Sequence, residues 1–232
     1  MKLLTTLLAA LSPTATVLAT TSSDDPVQQQ STAVFLKIAS SNATIDGMFL
    51  SAYHIGAAQQ TLGLFYGPPQ PNDTSAIFYW NTTVTDGVAA DVGVLYWTMP
   101  AAGNLTAWFS LDFAYTSGTN VVGTSVSAGS GAQGVGWDNN DRLFVDGTMV
   151  DDSNFVPEDH PVPIYPIGIR LQQWHACWIL FAPYYYYALA WVTAEMPHNP
   201  TCQPVSVVKV LGHSILIVGW LPFQPDLSTR TG

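Results

Sequence analysis

The segment WILFAPYYYYALAWVTAEMPHNPTC, residues 178–202, holds the longest aromatic run of the chain, with four consecutive tyrosines at 184–187. Side chains of a β-strand alternate between its two faces. One face of this run would carry Tyr184, Tyr186, Ala188, Ala190 and Val192, and the other would carry Tyr185, Tyr187, Leu189, Trp191 and Thr193. Because neither set is polar, the pattern predicts a strand that is covered on both faces.

Two interpretations of this strand stay open. In the first, it is a central strand packed on an opposite sheet, with a loop over its other face. In the second, its aromatic rings line a concave face and stack on a sugar, as aromatic side chains do with apolar ring faces. The second interpretation makes Tyr185, Tyr187 and Trp191 candidate ligand-binding residues.

Outside this segment, Gly, Ser, Asn and Asp recur about every ten residues, and the stretches between them are rich in Val, Ile, Phe, Tyr, Trp and Thr. This spacing predicts an all-β, single-domain antiparallel β-sandwich of the jelly-roll or lectin-like kind, with few or no helices after the N-terminal leader. Three Asp-Gly pairs, at 46–47, 86–87 and 146–147, have the chemistry of tight hairpin turns.

The N-terminal residues MKLLTTLLAALSPTATVLAT have the form of a secretory signal peptide, with one lysine, an apolar run and small residues before a cleavage point after Ala19. The sequence therefore predicts a secreted, extracellular protein. Its expected organisation is a signal peptide at 1–19, a disordered linker at 20–32, the β-sandwich domain at 33–210, and an extra strand or poorly ordered tail at 211–232.

Only 9% of the residues are charged, and the formal net charge is −10. Nucleic acids and anionic membrane surfaces are bound by clustered positive charge, so neither is an expected partner. A polysaccharide or glycan remains as the candidate partner, and no pattern indicates an oligomeric state.

We expect no cofactor, because the glycines at 129, 131 and 134 are followed by helix-breaking residues rather than a phosphate-binding helix. We expect no metal, because the five histidines lack the short pairings of metal sites.

Four acceptor sequences for N-linked glycosylation are present, at Asn42, Asn72, Asn81 and Asn104, whereas the proline of Asn199-Pro-Thr excludes a fifth.

The chain has two cysteines, Cys177 and Cys202. In an oxidising compartment this pair can form one internal disulfide, and a free catalytic thiol is the alternative.

The block YYYYALAWVTAEMPHNPTCQPVSVVKVL, with Trp174 and Cys177 upstream, resembles the C-terminal part of a family of secreted ascomycete proteins known only as a domain of unknown function. The segment FLKIASSNATIDGMFLSAYHIGAA is similar to the opening of that family. The resemblance covers residues 35–210 and implies a compact β-rich secreted domain in which Cys177 is bonded to Cys202. It implies no activity and no site.

The glycan acceptors indicate which faces point outward, because an attached glycan must reach solvent. If Asn81 faces out, Trp80 and Phe78 point into the core. If Asn104 faces out, Trp108, Ser110 and Asp112 follow it, and the inward set is Leu105, Ala107, Phe109, Leu111, Phe113 and Tyr115. Leaving a large apolar side chain in water is costly, so we expect the outward Trp108 ring to be covered by a loop, a partner or a sugar ring. Trp108 and Asp112 are therefore candidate ligand-binding residues.

No catalytic residues are predicted. Glycoside hydrolysis normally needs two carboxylates about 5–9.5 Å apart, and the two glutamates of the chain, Glu158 and Glu195, lie in separate segments. The sequence favours a secreted protein that binds carbohydrate or cell wall without chemistry of its own. A secreted structural or host-interaction protein without a ligand is the first alternative, and a glycoside hydrolase is the second.

Overall fold

The computed structural model describes residues 27–212 except 71–72, 102, 104, 129–131, 148–168, 182–183 and 195. The described elements are fifteen β-strands and one short 3₁₀ turn at Thr74–Ala76. The strands are β1 Val27–Gln30, β2 Val34–Ala39, β3 Phe49–Gly56, β4 Gln59–Phe65, β5 Phe78–Thr85, β6 Val88–Pro100, β7 Thr106–Ala114, β8 Val121–Ser127, β9 Gly134–Trp137, β10 Leu143–Gly147, β11 Ile169–Leu171, β12 Trp174–Phe181, β13 Tyr184–Val192, β14 Gln203–Pro204 and β15 Ser206–Leu211.

All these strands belong to one sheet, and twelve of them follow the order β1-β5-β2-β3-β4-β13-β8-β7-β6-β9-β10-β11. The other three are attached beside this path: β12 pairs with β13 and β14, and β15 pairs with β2. The additional pairing of β5 with β6 joins strands that are distant in this order, so the sheet closes on itself and encloses the core. A second additional pairing, β4–β8, links the two strands that flank β13. The all-β antiparallel fold predicted from the sequence is confirmed. A single sheet with this closure is compatible with the predicted two-layer sandwich.

Some strands contribute one face to the core. On β7 the alternate residues Phe109, Leu111 and Phe113 point inward and are buried. The rings of Trp174 and Trp191 meet edge to face, with centroids 4.8 Å apart. Such aromatic pairs add stability beyond the area that they bury.

The two halves of β13 differ in burial. Its second half, Ala188–Val192, is buried on both faces, as predicted for a central strand. Its first half is not: Tyr184 and Tyr185 are exposed. The central-strand interpretation therefore holds for one half of the strand only.

The three Asp-Gly pairs have different outcomes. Asp86 and Gly87 both have positive φ, at 53° and 76°, and form the tight β5–β6 turn. Gly47, with φ 81°, lies in the β2–β3 turn. The third prediction is wrong, because Asp146 and Gly147 lie within β10 and pair with β11.

Both ends of the domain are paired in the sheet. Residues 27–30 lie in the predicted disordered linker but form β1, which pairs with β5. Leu211, the first residue of the predicted tail, is the last residue of β15, which pairs with β2. The signal peptide at 1–19 and residues 213–232 lie outside the described residues. Within the part of the chain that is described, no helix has the length and apolar character needed to cross a membrane.

Candidate functional site

The hairpin formed by β12 and β13 carries four side-chain pairs on its core side. These are Trp174 with Trp191, Ala176 with Leu189, Trp178 with Tyr187, and Leu180 with Tyr185. The first two pairs are buried, whereas Trp178 is 51% exposed and Tyr185 is 67% exposed. The row of core side chains thus continues past the edge of the core into solvent.

Trp178 and Tyr187 stack at that edge, with ring centroids 5.2 Å apart and planes 26° from parallel. They border a cleft of about 470 Å³. The other lining residues come from the β2–β3 connection, the end of β4 and β14: Asn42, Thr44, Ile45, Met48, Leu64, Tyr66 and Gln203. The cleft therefore combines an aromatic wall with a small number of polar groups, as small-molecule sites generally do.

The polar wall of the cleft is preorganised. The Asn42 side chain donates from Nδ2 to Oε1 of Gln203, and its Oδ1 accepts from the backbone N–H of Thr44 at 2.9 Å. Burial raises the pKa of the Tyr187 hydroxyl above its ordinary value of 10.0, and nearby Tyr66 raises it further. The hydroxyl is therefore protonated at neutral pH and able to donate a hydrogen bond.

The position of Trp178 is fixed from outside the sheet. Its backbone N–H donates to Oγ1 of Thr201 at 3.0 Å, and its carbonyl accepts from Nδ2 of Asn199 at 2.8 Å. The disulfide between Cys177 and Cys202 ties the same two segments together, so the predicted bridge is confirmed. No cysteine of the described chain is free.

A second aromatic surface lies on the outer face of β5, β6 and β7. Trp108 is 43% exposed, and its ring centroid lies 6.1 Å from that of Tyr79 and 5.9 Å from that of Tyr96. Asp112, on the same face, is half-buried, and its Oδ1 accepts from the adjacent Phe113 N–H at 2.8 Å. This surface is separate from the cleft.

The inward set predicted for β7 is correct within the strand, where Phe109, Leu111 and Phe113 are buried. It is wrong for Leu105 and Tyr115, which are exposed because they lie outside the strand and its alternation. Phe78 is buried and Trp80 packs against the core, as the outward orientation of Asn81 requires.

The predicted ligand-binding residues do not form one site. Tyr187 lines the cleft, and Tyr185 lines a neighbouring cleft of about 440 Å³. Trp191 is only 5% exposed, packs among core rings and lines neither cleft. Trp108 and Asp112 lie on the outer surface.

Sequence reasoning missed Trp178, Tyr66 and Gln203 as parts of one cleft. Pairing the residues on either side of Ala182-Pro183 as a hairpin would have placed Trp178 opposite Tyr187. No sequence signal brings Gln203 to Asn42, which is 161 residues away along the chain.

The glycan acceptors differ in their surroundings. Asn42 is half-buried at the cleft, and Asn81 is half-buried in β5, where its Oδ1 has no hydrogen-bond partner among the described residues. Asn72 and Asn104 lie outside the described residues. Glycosylation at all four remains a prediction.

Comparison with known proteins supplies a family and no activity. Neither the curated proteins nor the solved structures include a match to this sequence. A family model described as a domain of unknown function, DUF7907, matches residues 31–211, which span the sheet from the residue after β1 to the last residue of β15. The chain therefore belongs to the DUF7907 family of domains of unknown function.

Proposed function

We propose that this protein is a secreted glycoprotein that binds carbohydrate, such as a cell-wall polysaccharide, in the cleft beside Trp178. The observation that carries the proposal is the stacked Trp178–Tyr187 pair, which presents a half-exposed aromatic face next to the fixed side chains of Asn42 and Gln203. A sugar ring offers an apolar face for stacking and hydroxyls for the amides. Secretion is supported by the N-terminal leader and by a disulfide, which oxidising compartments maintain.

Binding is favoured over hydrolysis at this cleft by the chemistry of its lining. The described residues that line it include no aspartate or glutamate, and the usual glycosidase mechanism requires a pair of carboxylates. The Thr201 and Asn199 side chains hold the backbone of Trp178 in place, and stacking on Tyr187 orders its ring. A wall that is already ordered loses little conformational entropy when a ligand binds.

The test uses the full chain exported to a bacterial periplasm, which allows the disulfide to form and adds no N-glycans. Binding of a β-1,3-glucose hexamer and of a β-1,4-N-acetylglucosamine hexamer is measured by calorimetry, after an unbiased glycan array. We expect one of the sugar classes to bind, and we expect Trp178→Ala to weaken that binding at least tenfold, or about 1.4 kcal/mol.

Trp108→Ala is the matched control, because Trp108 is also a half-exposed tryptophan with two aromatic neighbours. We expect this variant to retain binding. Loss of binding in Trp108→Ala alone would move the site to the outer surface that the sequence predicted. A blank array would reject carbohydrate binding and favour a structural or host-interaction role.

A further inference from the structure

The glycan acceptor Asn42 lies in the wall of the proposed sugar-binding cleft. Its backbone carbonyl accepts from the N–H groups of Ile45 at 3.1 Å and Asp46 at 3.0 Å, and its Oδ1 accepts from Thr44. These three bonds close a tight turn and fix the direction of the side chain. The amide nitrogen consequently faces Gln203, another residue of the cleft.

That amide nitrogen is the atom to which an N-linked glycan is attached. It carries two hydrogens, of which one is donated to Gln203 and the other is the position that a sugar would replace. The first sugar would therefore start at the mouth of the cleft, on the wall that shares the cleft with Trp178 and Tyr187. Of the two acceptors that the structure describes, Asn42 and Asn81, only Asn42 lines this cleft.

We propose that the N-linked glycan of Asn42 folds onto Trp178 and Tyr187 and occupies the cleft, so that glycosylation at Asn42 controls the access of free carbohydrate. This inference rests on the proposed function, since it requires the cleft to accept sugars. A ligand tethered by a short link has an effective concentration in the millimolar range. If the Kd of the tethered sugar itself is about four- to ninefold below this effective concentration, the glycan weakens the binding of a free sugar about five- to tenfold.

The first experiment measures whether the glycan is docked. The protein is produced in a glycosylating eukaryotic host and treated, in its native state, with an endoglycosidase that cuts between the two core N-acetylglucosamines. Mass spectrometry of peptides then gives the trimming rate at each occupied acceptor. We expect Asn42 to be trimmed about five- to tenfold more slowly than the other occupied acceptors, and Trp178→Ala to abolish this protection.

Tyr66→Ala is a second variant, because the exposed Tyr66 can be removed with little risk to folding. We expect it to weaken the protection partly. Trimming of Asn42 at the same rate as the other acceptors, or absence of a glycan at Asn42, would overturn the inference.

The second experiment measures regulation, using a matched pair at the exposed Ala43. Ala43→Pro abolishes the acceptor sequence, and Ala43→Ser keeps it, while both leave Asn42 and Thr44 in place. Made in the glycosylating host, Ala43→Pro should bind the oligosaccharide found above five- to tenfold more tightly than Ala43→Ser. Equal affinities with Asn42 occupied in Ala43→Ser would overturn the inference.

The two proposals fail in different ways. If the protein made without glycans binds no oligosaccharide, the proposed function is wrong, whatever the trimming rates are. If that protein binds sugar but Asn42 is trimmed freely, the cleft is a sugar site and the glycan does not occupy it.

Discussion

The two halves of the β12–β13 hairpin share one continuous register and each carries a cross-strand aromatic pair, yet they have opposite environments. Near the base, Trp174 and Trp191 are enclosed by core side chains. Toward the tip, Trp178 and Tyr187 stack nearly parallel at an open cleft. The difference lies in what faces each half, because strands packed against the base provide a second wall. Whether an aromatic pair of this hairpin is buried or exposed thus depends on whether neighbouring strands extend far enough to cover it.

The largest expected difference between the halves is in stability at the base. Trp191→Ala should lower the free energy of unfolding by about 3–5 kcal/mol, because it leaves a large cavity among packed rings. Denaturant unfolding followed by circular dichroism measures this loss. A loss below about 1 kcal/mol would show that the base of the hairpin is not a close-packed core.

The disulfide should have the next largest effect, because it joins the hairpin to the segment that holds Trp178. Replacing both Cys177 and Cys202 by serine opens a loop whose cysteines are 25 residues apart. The chain-entropy model gives a loss of about 3–3.5 kcal/mol for such a loop. Thermal unfolding with and without reductant provides the measurement, and equal melting temperatures for the two forms would contradict the prediction.

At the cleft, the same type of substitution should be far milder. Trp178→Ala removes one stacked ring from a half-exposed site, and an aromatic pair of this kind contributes about 0.5–1.5 kcal/mol beyond area burial. We therefore expect a small loss of stability together with the loss of sugar binding described above. A loss as large as that of Trp191→Ala would mean that the two halves do not differ.

The smallest effect is expected at the tip. Tyr185 is 67% exposed, and surface substitutions of this kind usually change stability by less than about 0.5 kcal/mol. We expect Tyr185→Ala to stay within this range, and Tyr185→Phe is the matched control, since it keeps the ring and removes the hydroxyl. Melting curves of the two variants that superimpose on that of the parent protein would confirm that the tip contributes no packing energy.

Much of the fold could be predicted from local patterns, because strand alternation and turn chemistry act over a few residues. The inward residues of β7 and the Asp86-Gly87 turn followed these rules. The Asp146-Gly147 pair did not, since pairing with β11 kept it extended. Turn chemistry permits a reversal, and tertiary contacts decide whether one occurs.

The candidate site was less predictable, because it depends on contacts between distant segments. Alternation correctly placed Tyr187 and Trp191 on the same side of β13, but it contains no information on where the opposite wall ends. Only the structure shows that this wall covers Trp191 and stops before Trp178. Asn42 likewise meets Gln203 because the distant strands β2 and β15 pair, with Ala39 opposite Ser206.

The contact between Asn199 and the Trp178 carbonyl has a consequence for which mutations the domain can tolerate. Asn199, Pro200 and Thr201 would form a glycan acceptor if residue 200 were not proline. In a secretory pathway, replacing Pro200 would expose Asn199 to glycan transfer on the nascent chain, before its amide could hydrogen-bond to Trp178. Pro200 therefore prevents glycan attachment to this amide. A substitution of Pro200 would alter the hydrogen bond between Asn199 and the Trp178 carbonyl, even where it disturbs no contact in the folded structure.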